Sequence, residues 1–358
     1  MKQSKHTVIG LMSGTSLDGL DLAACDFNRT NEHWSFSLLA AETLPYDTSL
    51  KTMLLEAYHA NDAKLADIDR EFGRWLGFQV NEFLRKNGLK PSLISSHGHT
   101  VKHRPEAGIS YQIGCGAILA NTCKITTVNN FRIADVKKGG QGAPLVPVGD
   151  QLLFAHYDIC LNIGGIANLS YTENGRRLAF DICPANQVLN HLAAKKGQTF
   201  DAEGKIAASG IIQPELLQQL NQLDYYHLCF PKSLGREWVD SSFLPMISNE
   251  QMQDQDIMCT VVEHIAIQIA KAVNHLPNGK ILVTGGGALN DFLMQRIAFH
   301  CRHKVIKPSR EIIEFKEAIV FALLGLLRLQ DEINCFASVT GATSDSSTGD
   351  VHYPKQQL

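Results

Sequence analysis

Three glycine-rich turns, each directly after an apolar strand, constrain this chain more than any other feature. They are Gly10-Leu-Met-Ser-Gly-Thr-Ser-Leu-Asp-Gly19, Asn162-Ile-Gly-Gly-Ile-Ala-Asn168 and Thr284-Gly-Gly-Gly-Ala-Leu-Asn290. Apolar runs at 8–12, 20–27 and 34–44, the last stopped by Pro45, predict a meander of three strands. Leu65, Ile68, Phe72, Leu76, Val80 and Phe83 recur at steps of three and four, which predicts a helix that Asp62 caps and Gly88 ends. Short strands are expected at 93–96, ending in His97-Gly98-His99-Thr100, and at 125–129. The second half repeats the plan, with strands at 158–163, 178–182 and 281–284. It also has a helical stripe through Met258, Val261, Ile265, Ile269 and Val273, and a buried helix at about 317–331. The class is α/β with a duplicated plan, and the Gly-, Pro- and Lys-rich segment 137–149 is a connection between the halves.

Composition bounds the chemistry. The 358 residues suggest about two domains, and 44% hydrophobic with 19% charged residues supplies a large core. A formal charge of -3, from 33 basic and 36 acidic residues, argues against nucleic acid. The longest apolar run, about ten residues, is too short to span a bilayer, which takes about 20. The polar start is unlike a signal peptide. Nine scattered cysteines with no Cys-x-x-Cys pair read as reduced, cytoplasmic thiols.

The turns carry the chemistry. Backbone N–H groups and hydroxyls converging at the first turn bind an anion such as phosphate, and Asp18 offers a carboxylate to Mg2+; an ordinary hairpin turn is the rival reading. All three turns together suit one polyphosphate, with Gly285, Gly286 and Gly287 also suited to the flat faces of a base and ribose. No Gly-x-x-x-x-Gly-Lys-Ser/Thr, Gly-x-Gly-x-x-Gly or Gly-x-Ser-x-Gly is present. Asp181, at a strand end before Cys183-Pro184-Ala185-Asn186, suits a general base facing a cleft or a helix cap, a task for which Asn186 is better placed. His97, His99 and His103 have metal-ligand spacing, but the later ligands of a metallohydrolase barrel are missing, so polar contacts in a substrate cleft are favoured. Arg132 is either a fork for a carboxylate or sugar oxygens, or a surface arginine. Glu317 either meets substrate or complements the dipole at a helix N-terminus.

These residues resemble the anhydro-N-acetylmuramic acid kinase family. The likeness runs through Gly10 to Asp21, Ser96-His-Gly-His-Thr, Arg132-Ile-Ala-Asp with Gly139 to Pro147, and Asn162 to Asn168. It continues in Thr284 to Asn290, Lys316-Glu-Ala-Ile-Val-Phe-Ala and Val339-Thr-Gly-Ala, in family order over nearly the whole chain. The resemblance implies two RNase H-like domains of the actin-like ATPase fold with ATP in an interdomain cleft. The expected division is 1–135, with 332–358 packing back on it, and 136–331. It implies an ATP- and Mg2+-dependent kinase that phosphorylates O6 of 1,6-anhydro-N-acetylmuramic acid. Water opens the anhydro bridge, giving N-acetylmuramic acid 6-phosphate in cell-wall recycling. A kinase for a related amino or anhydro sugar, or an inactive nucleotide-binding homologue, is the alternative.

By the same resemblance Asp181 is the general base. Ser13, Gly14, Thr15, Ser16, Asp18, Gly19, Asp21, Gly164, Gly165 and Asn168 hold phosphates, with Asp18 also toward the metal. Gly285, Gly286, Gly287 and Asn290 meet the nucleotide, and His97, Thr100, Arg132 and Glu317 meet the sugar. The partner is a small-molecule sugar, with no nucleic acid and no membrane, and the resemblance allows a homodimer. Two stretches depart from the family pattern. Phe180-Asp-Ile-Cys-Pro-Ala-Asn186 stands for Phe-Asp-Thr-Gly-Pro-Gly-Asn, and His-Gly-His-Thr for His-Gly-Gln-Thr. Both changes are expected near the sugar.

Overall fold

The computed structural model describes residues 5–14, 17–31, 33–229, 232–248 and 251–355. Thr15 and Ser16, expected at the phosphates, lie outside the described residues. The chain divides into two compact units, Met1–Phe154 with Phe315–Leu358, and Ala155–Glu314.

The first unit opens with β1 (Lys5–Ser13), β2 (Gly19–Thr30) and β3 (His33–Pro45), followed by α1 (Thr48–Ala57), α2 (Asp62–Asn87), β4 (Leu93–Arg104), β5 (Ile109–Ile113), α3 (Gly116–Cys123), β6 (Thr126–Asn129), α4 (Ile133–Val136) and α5 (Val146–Leu153). The second holds β7 (Ile159–Ile163), β8 (Ile166–Glu173), β9 (Arg176–Pro184), α6 (Asn186–Lys195), α7 (Lys205–Ala208), α8 (Pro214–Asn221), α9 (Arg236–Trp238), α10 (Asp254–Val273), β10 (Lys280–Thr284), α11 (Asp291–His300) and β11 (Lys304–Ile306). The chain then forms α12 (Arg310–Leu329), α13 (Ala337–Thr340) and β12 (Asp350–His352).

The sheets share a plan. In the first, strand order is β12-β6-β4-β1-β2-β3, with β5 on β4; in the second it is β11-β10-β7-β8-β9. Each has an antiparallel meander whose first strand takes a parallel neighbour, β4 beside β1 and β10 beside β7. A second parallel strand follows, β6 beside β4 and β11 beside β10. The duplication expected from sequence is thus a duplication of topology. Each sheet buries a face under helices, and α12 covers the opposite face of the first at Gly10 and Ser95. Ile9, Leu22 and Ile94 pack with Phe72, Leu76 and Val80 of α2. Leu161, Ile163 and Val283 pack with Val261, Ile265 and Ile269 of α10.

Several elements differ from expectation. The α2 cap is Asn61, whose Oδ1 accepts the Lys64 N–H at 3.0 Å, and Asp62 is the first helical residue; Gly88 ends the helix with φ 64°. β4 continues through His97-Gly98-His99-Thr100, because β5 supplies an antiparallel partner to its far half. Segment 137–149 lies within the first unit and contains the start of α5. The crossing points fall at Phe154/Ala155 and Glu314/Phe315, against the 135/136 and 331/332 read from sequence. Contacts within the first unit account for this: Ser95 Oγ donates to Phe321 O, and Lys316 forms a buried ion pair with Asp150 at 2.7 Å.

Candidate active site

The second unit presents a polar row at the end of its sheet. Thr284 of β10 pairs with Asn162 of β7, Asn162 with Asn168 of β8, and Asn168 with Asp181 of β9. Directly opposed residues project from the same face of a sheet, so the register alone aligns these side chains. Asn162, Asn168 and Asp181 are half-buried. Asp181 is inside β9 rather than at its end. Its N–H donates to Lys232 O at 3.1 Å, its C=O accepts the Tyr225 hydroxyl at 2.7 Å, and its Oδ2 accepts the Leu234 N–H at 2.9 Å. Burial pushes the carboxyl above its usual range, and the Leu234 N–H opposes that shift. Upward tuning with one oxygen anchored suits a general base.

The glycines of this unit fall into two kinds. Gly285 has φ 80°, and a Cβ there would lie 2.6 Å from Asn162 Oδ1; one at Gly287 would lie 2.2 Å from Ile163 Cγ2. The packed fold demands glycine at both. A Cβ at Gly164 would meet nothing nearer than 3.5 Å, at Gly165 nothing nearer than 3.7 Å, and at Gly286 nothing nearer than 3.4 Å. None of these three has a positive φ. Protein packing gives no reason for glycine there, whereas close approach of a ligand to the main chain does. Asn186 braces the turn after β7. Its N–H donates to Gly164 O at 3.1 Å and its Nδ2 to Ile163 O at 3.1 Å, so it is a brace and not the α6 cap expected. Asn290 caps α11, its Oδ1 accepting the Leu293 N–H at 2.9 Å, which accounts for that side chain structurally.

The first unit offers side chains. Arg132 sits at the start of α4 and donates Nη1 to Gly142 O at 3.2 Å. Its Nε and Nη2 donate to His97 Nε2 at 3.2 and 2.9 Å, while His97 Nδ1 faces Gly98 O at 2.9 Å. His97 is 4% exposed and both ring nitrogens are engaged, an arrangement that holds the Arg132 guanidinium in place. Burial, then the adjacent guanidinium, lowers His97 to about 3 and keeps it neutral. Burial lowers Arg132 to about 10, with Glu317 opposing. Glu317 is half-buried, and burial raises its carboxyl; Lys316 and Arg132 lower it, Asp21 and Asp150 raise it. Because α12 starts at Arg310, Glu317 lies well inside the helix, which removes the N-terminal dipole reading. Thr100 Oγ1 and its register partner's Gln112 Oε1 are buried with no hydrogen-bond partner among the described residues.

At the first turn Leu17 N donates to Gly14 O at 3.3 Å, and Leu17 itself holds the left-handed conformation, φ 59°. Asp18 is exposed, and Asp21 accepts the Thr43 hydroxyl at 2.6 Å. Gly19 opens β2 with no room for a Cβ, which would lie 2.5 Å from Leu44 O. The Ser13 side chain is buried and hydrogen-bonded to Tyr46 and His99, leaving its backbone as its route to a ligand. Among the described residues no group of three His, Cys, Asp or Glu could hold a metal, so the His97-x-His99 metallohydrolase reading has no support.

The anhydro-N-acetylmuramic acid kinase family model matches residues 6–354. The chain belongs to the anhydro-N-acetylmuramic acid kinase family. Relatives bearing that name include one from Shewanella frigidimarina, 37% identical over 95% of this chain and 96% of the relative. Those from Microcystis aeruginosa and Aliivibrio fischeri are each 35% identical, over 96% and 97% of this chain and 99% and 98% of theirs. The two departures from the family pattern turn inward. Ile182, Cys183 and Ala185 are 3%, 0% and 0% exposed and belong to the core, and His99 is 0% exposed. These side chains are packed inside their units.

Sequence reasoning missed Asn162 as a row member, Asn186 as a brace, and Tyr225 and Leu234 as the anchors of Asp181. Asn162 was legible: it begins a quoted motif and stands one register step from Asn168. Tyr225 lies in a single 3-10 turn, Asp224–His227, and Leu234 in a loop, both too short to carry a periodic pattern.

Proposed function

We propose that this chain is an ATP-dependent sugar kinase that phosphorylates O6 of 1,6-anhydro-N-acetylmuramic acid while water opens the anhydro bridge. The product is N-acetylmuramic acid 6-phosphate. Asp181 carries the reading: its half-buried carboxylate has Oδ2 tied to Leu234 N–H, leaving Oδ1 to accept a proton. That oxygen takes a proton from the water attacking the anomeric carbon. The C1–O6 bond breaks, and O6 attacks the γ-phosphorus as ADP leaves. In-line transfer of this kind asks for positioning and charge neutralisation, which main-chain turns supply.

The open glycines Gly164, Gly165 and Gly286 present amides to the nucleotide, and the β1–β2 turn through Gly14 and Gly19 presents its own. Arg132, oriented by His97, reads sugar oxygens or the lactyl carboxylate, with Glu317 and Thr100 as further sugar contacts. A protein cage for Mg2+ is absent among the described residues, which fits an ion that travels mainly with phosphates and water; Asp18 is the exposed carboxylate available to it. When bound, Mg2+ neutralises phosphate charge. Among the described residues no helix is long and apolar enough to cross a membrane, and no disulfide joins the nine cysteines. Incubation with Mg-ATP and the anhydro sugar, followed by mass spectrometry, tests the proposal. Ring-opened 6-phosphate is expected, and intact anhydro sugar from folded, ATP-binding protein overturns it.

A further inference from the structure

His99, in the His97-Gly98-His99-Thr100 stretch of β4, is fully buried. A bulge between Leu11 and Ser13 brings Ser13, the last residue of β1, opposite His99 of β4. His99 Nδ1 lies 2.9 Å from Ser13 Oγ and Nε2 lies 3.2 Å from the Tyr58 hydroxyl. Ser13 Oγ also accepts the Tyr46 hydroxyl at 2.6 Å. Tyr58 is the C-cap residue of α1, and Tyr46 directly follows β3. The ring is held edge-on by Phe72 and Tyr58. One imidazole thus joins the ends of β1, β3 and α1 in a string of four side chains, buried except at the half-buried Tyr58.

A neutral imidazole offers one donor and one acceptor, whichever tautomer is present. A glutamine amide offers both as well, so the string does not depend on a histidine as such. Removal of the middle member leaves the buried Ser13 hydroxyl with Tyr46 as its remaining side-chain partner and takes from the half-buried Tyr58 hydroxyl its bond to the ring, and the residue after Ser13 begins the first turn.

We propose that His99 is a positioning residue for nucleotide binding, acting through Ser13 to fix the start of the β1–β2 turn. It touches no ligand itself. The inference rests on the reading of that turn as a phosphate holder.

Calorimetric titration with Mg-ADP, without sugar, tests it at a temperature where circular dichroism shows each protein folded. His99→Leu should weaken nucleotide binding about tenfold, the effect of roughly one lost hydrogen bond in a buried network. His99→Gln should restore affinity to within about threefold of wild type, on the same grounds. A purely structural role lowers the melting temperature in His99→Leu without this split in affinity. Should His99→Leu fail to fold, Ser13→Ala decides: several-fold weaker binding supports the proposal, and wild-type affinity overturns it. Wild-type protein that gives no heat with Mg-ADP overturns the phosphate reading and this inference together. Wild-type protein that binds, with His99→Leu binding equally well or His99→Gln no better than His99→Leu, overturns this inference alone.

Discussion

In the first unit the strand beside the meander, β4, runs for 12 residues through His97, His99 and Thr100 into a hairpin; in the second its counterpart, β10, stops after 5 residues at Gly285. The long strand places side chains at the sheet end, and buried partners fix them: His97 holds Arg132, and His99 holds Ser13 and Tyr58. The short strand places main chain there, with open glycines at Gly164, Gly165 and Gly286. One topology therefore yields two kinds of surface. Converging amides suit phosphate, whatever sugar is attached. Oriented side chains can reject a sugar that lacks their partner group. Asp181, in the polar row with Asn162 and Asn168, is the carboxylate that this unit sets beside its open glycines.

The largest expected effect concerns that carboxylate. Asp181→Asn should retain nucleotide binding and lose at least about a hundredfold in kcat, the scale of a removed general base. Steady-state kinetics beside calorimetry would show it, and near-normal turnover would take Asp181 out of the chemistry.

Next comes the division of glycines. Gly287→Ala places a methyl 2.2 Å from Ile163 Cγ2 and should cost about 1–3 kcal/mol in denaturant melts. Gly286→Ala has 3.4 Å of room and should melt like wild type, yet bind Mg-ATP several-fold more weakly. If both variants behave alike, the two kinds of glycine are one.

His97→Leu frees Arg132 from its partner. The KM for the sugar should rise about tenfold, the worth of a charge-assisted hydrogen bond, with nucleotide affinity unchanged. A rise in the nucleotide dissociation constant instead would blur the contrast between the units.

The smallest effect, per unit of pH, is on stability. Burial lowers His99 from its ordinary 6.5 to about 4. Between those values the unfolded chain binds a proton that the folded chain refuses, so stability falls as pH falls through that window. The slope owed to one such histidine is about 1.4 kcal/mol per pH unit. Chemical denaturation from pH 6.5 down to pH 4 should show a shallower fall in His99→Gln than in wild type.

The strand plan was legible because apolar runs and glycine stops recur in both halves. β8 carries the alternation of a strand, Ala167, Leu169 and Tyr171 against Asn168, Ser170 and Thr172, but its start lies inside the glycine motif and reads as turn. Asp181 was legible as a carboxylate on a strand, but not its anchors, since Tyr225 and Leu234 reach it from a short 3-10 turn and a loop more than 40 residues on. The inward turn of Cys183, Ala185 and His99 was hidden for a similar reason: motif position does not say which face of a strand is buried.

The central claim is that water attacks the anomeric carbon while O6 takes the phosphoryl group. Brief turnover of the anhydro sugar with Mg-ATP in 18O-labelled water tests this most directly. The account predicts one labelled oxygen at C1 and an unlabelled phosphate on O6. Label in phosphate with the anhydro sugar left intact would contradict it.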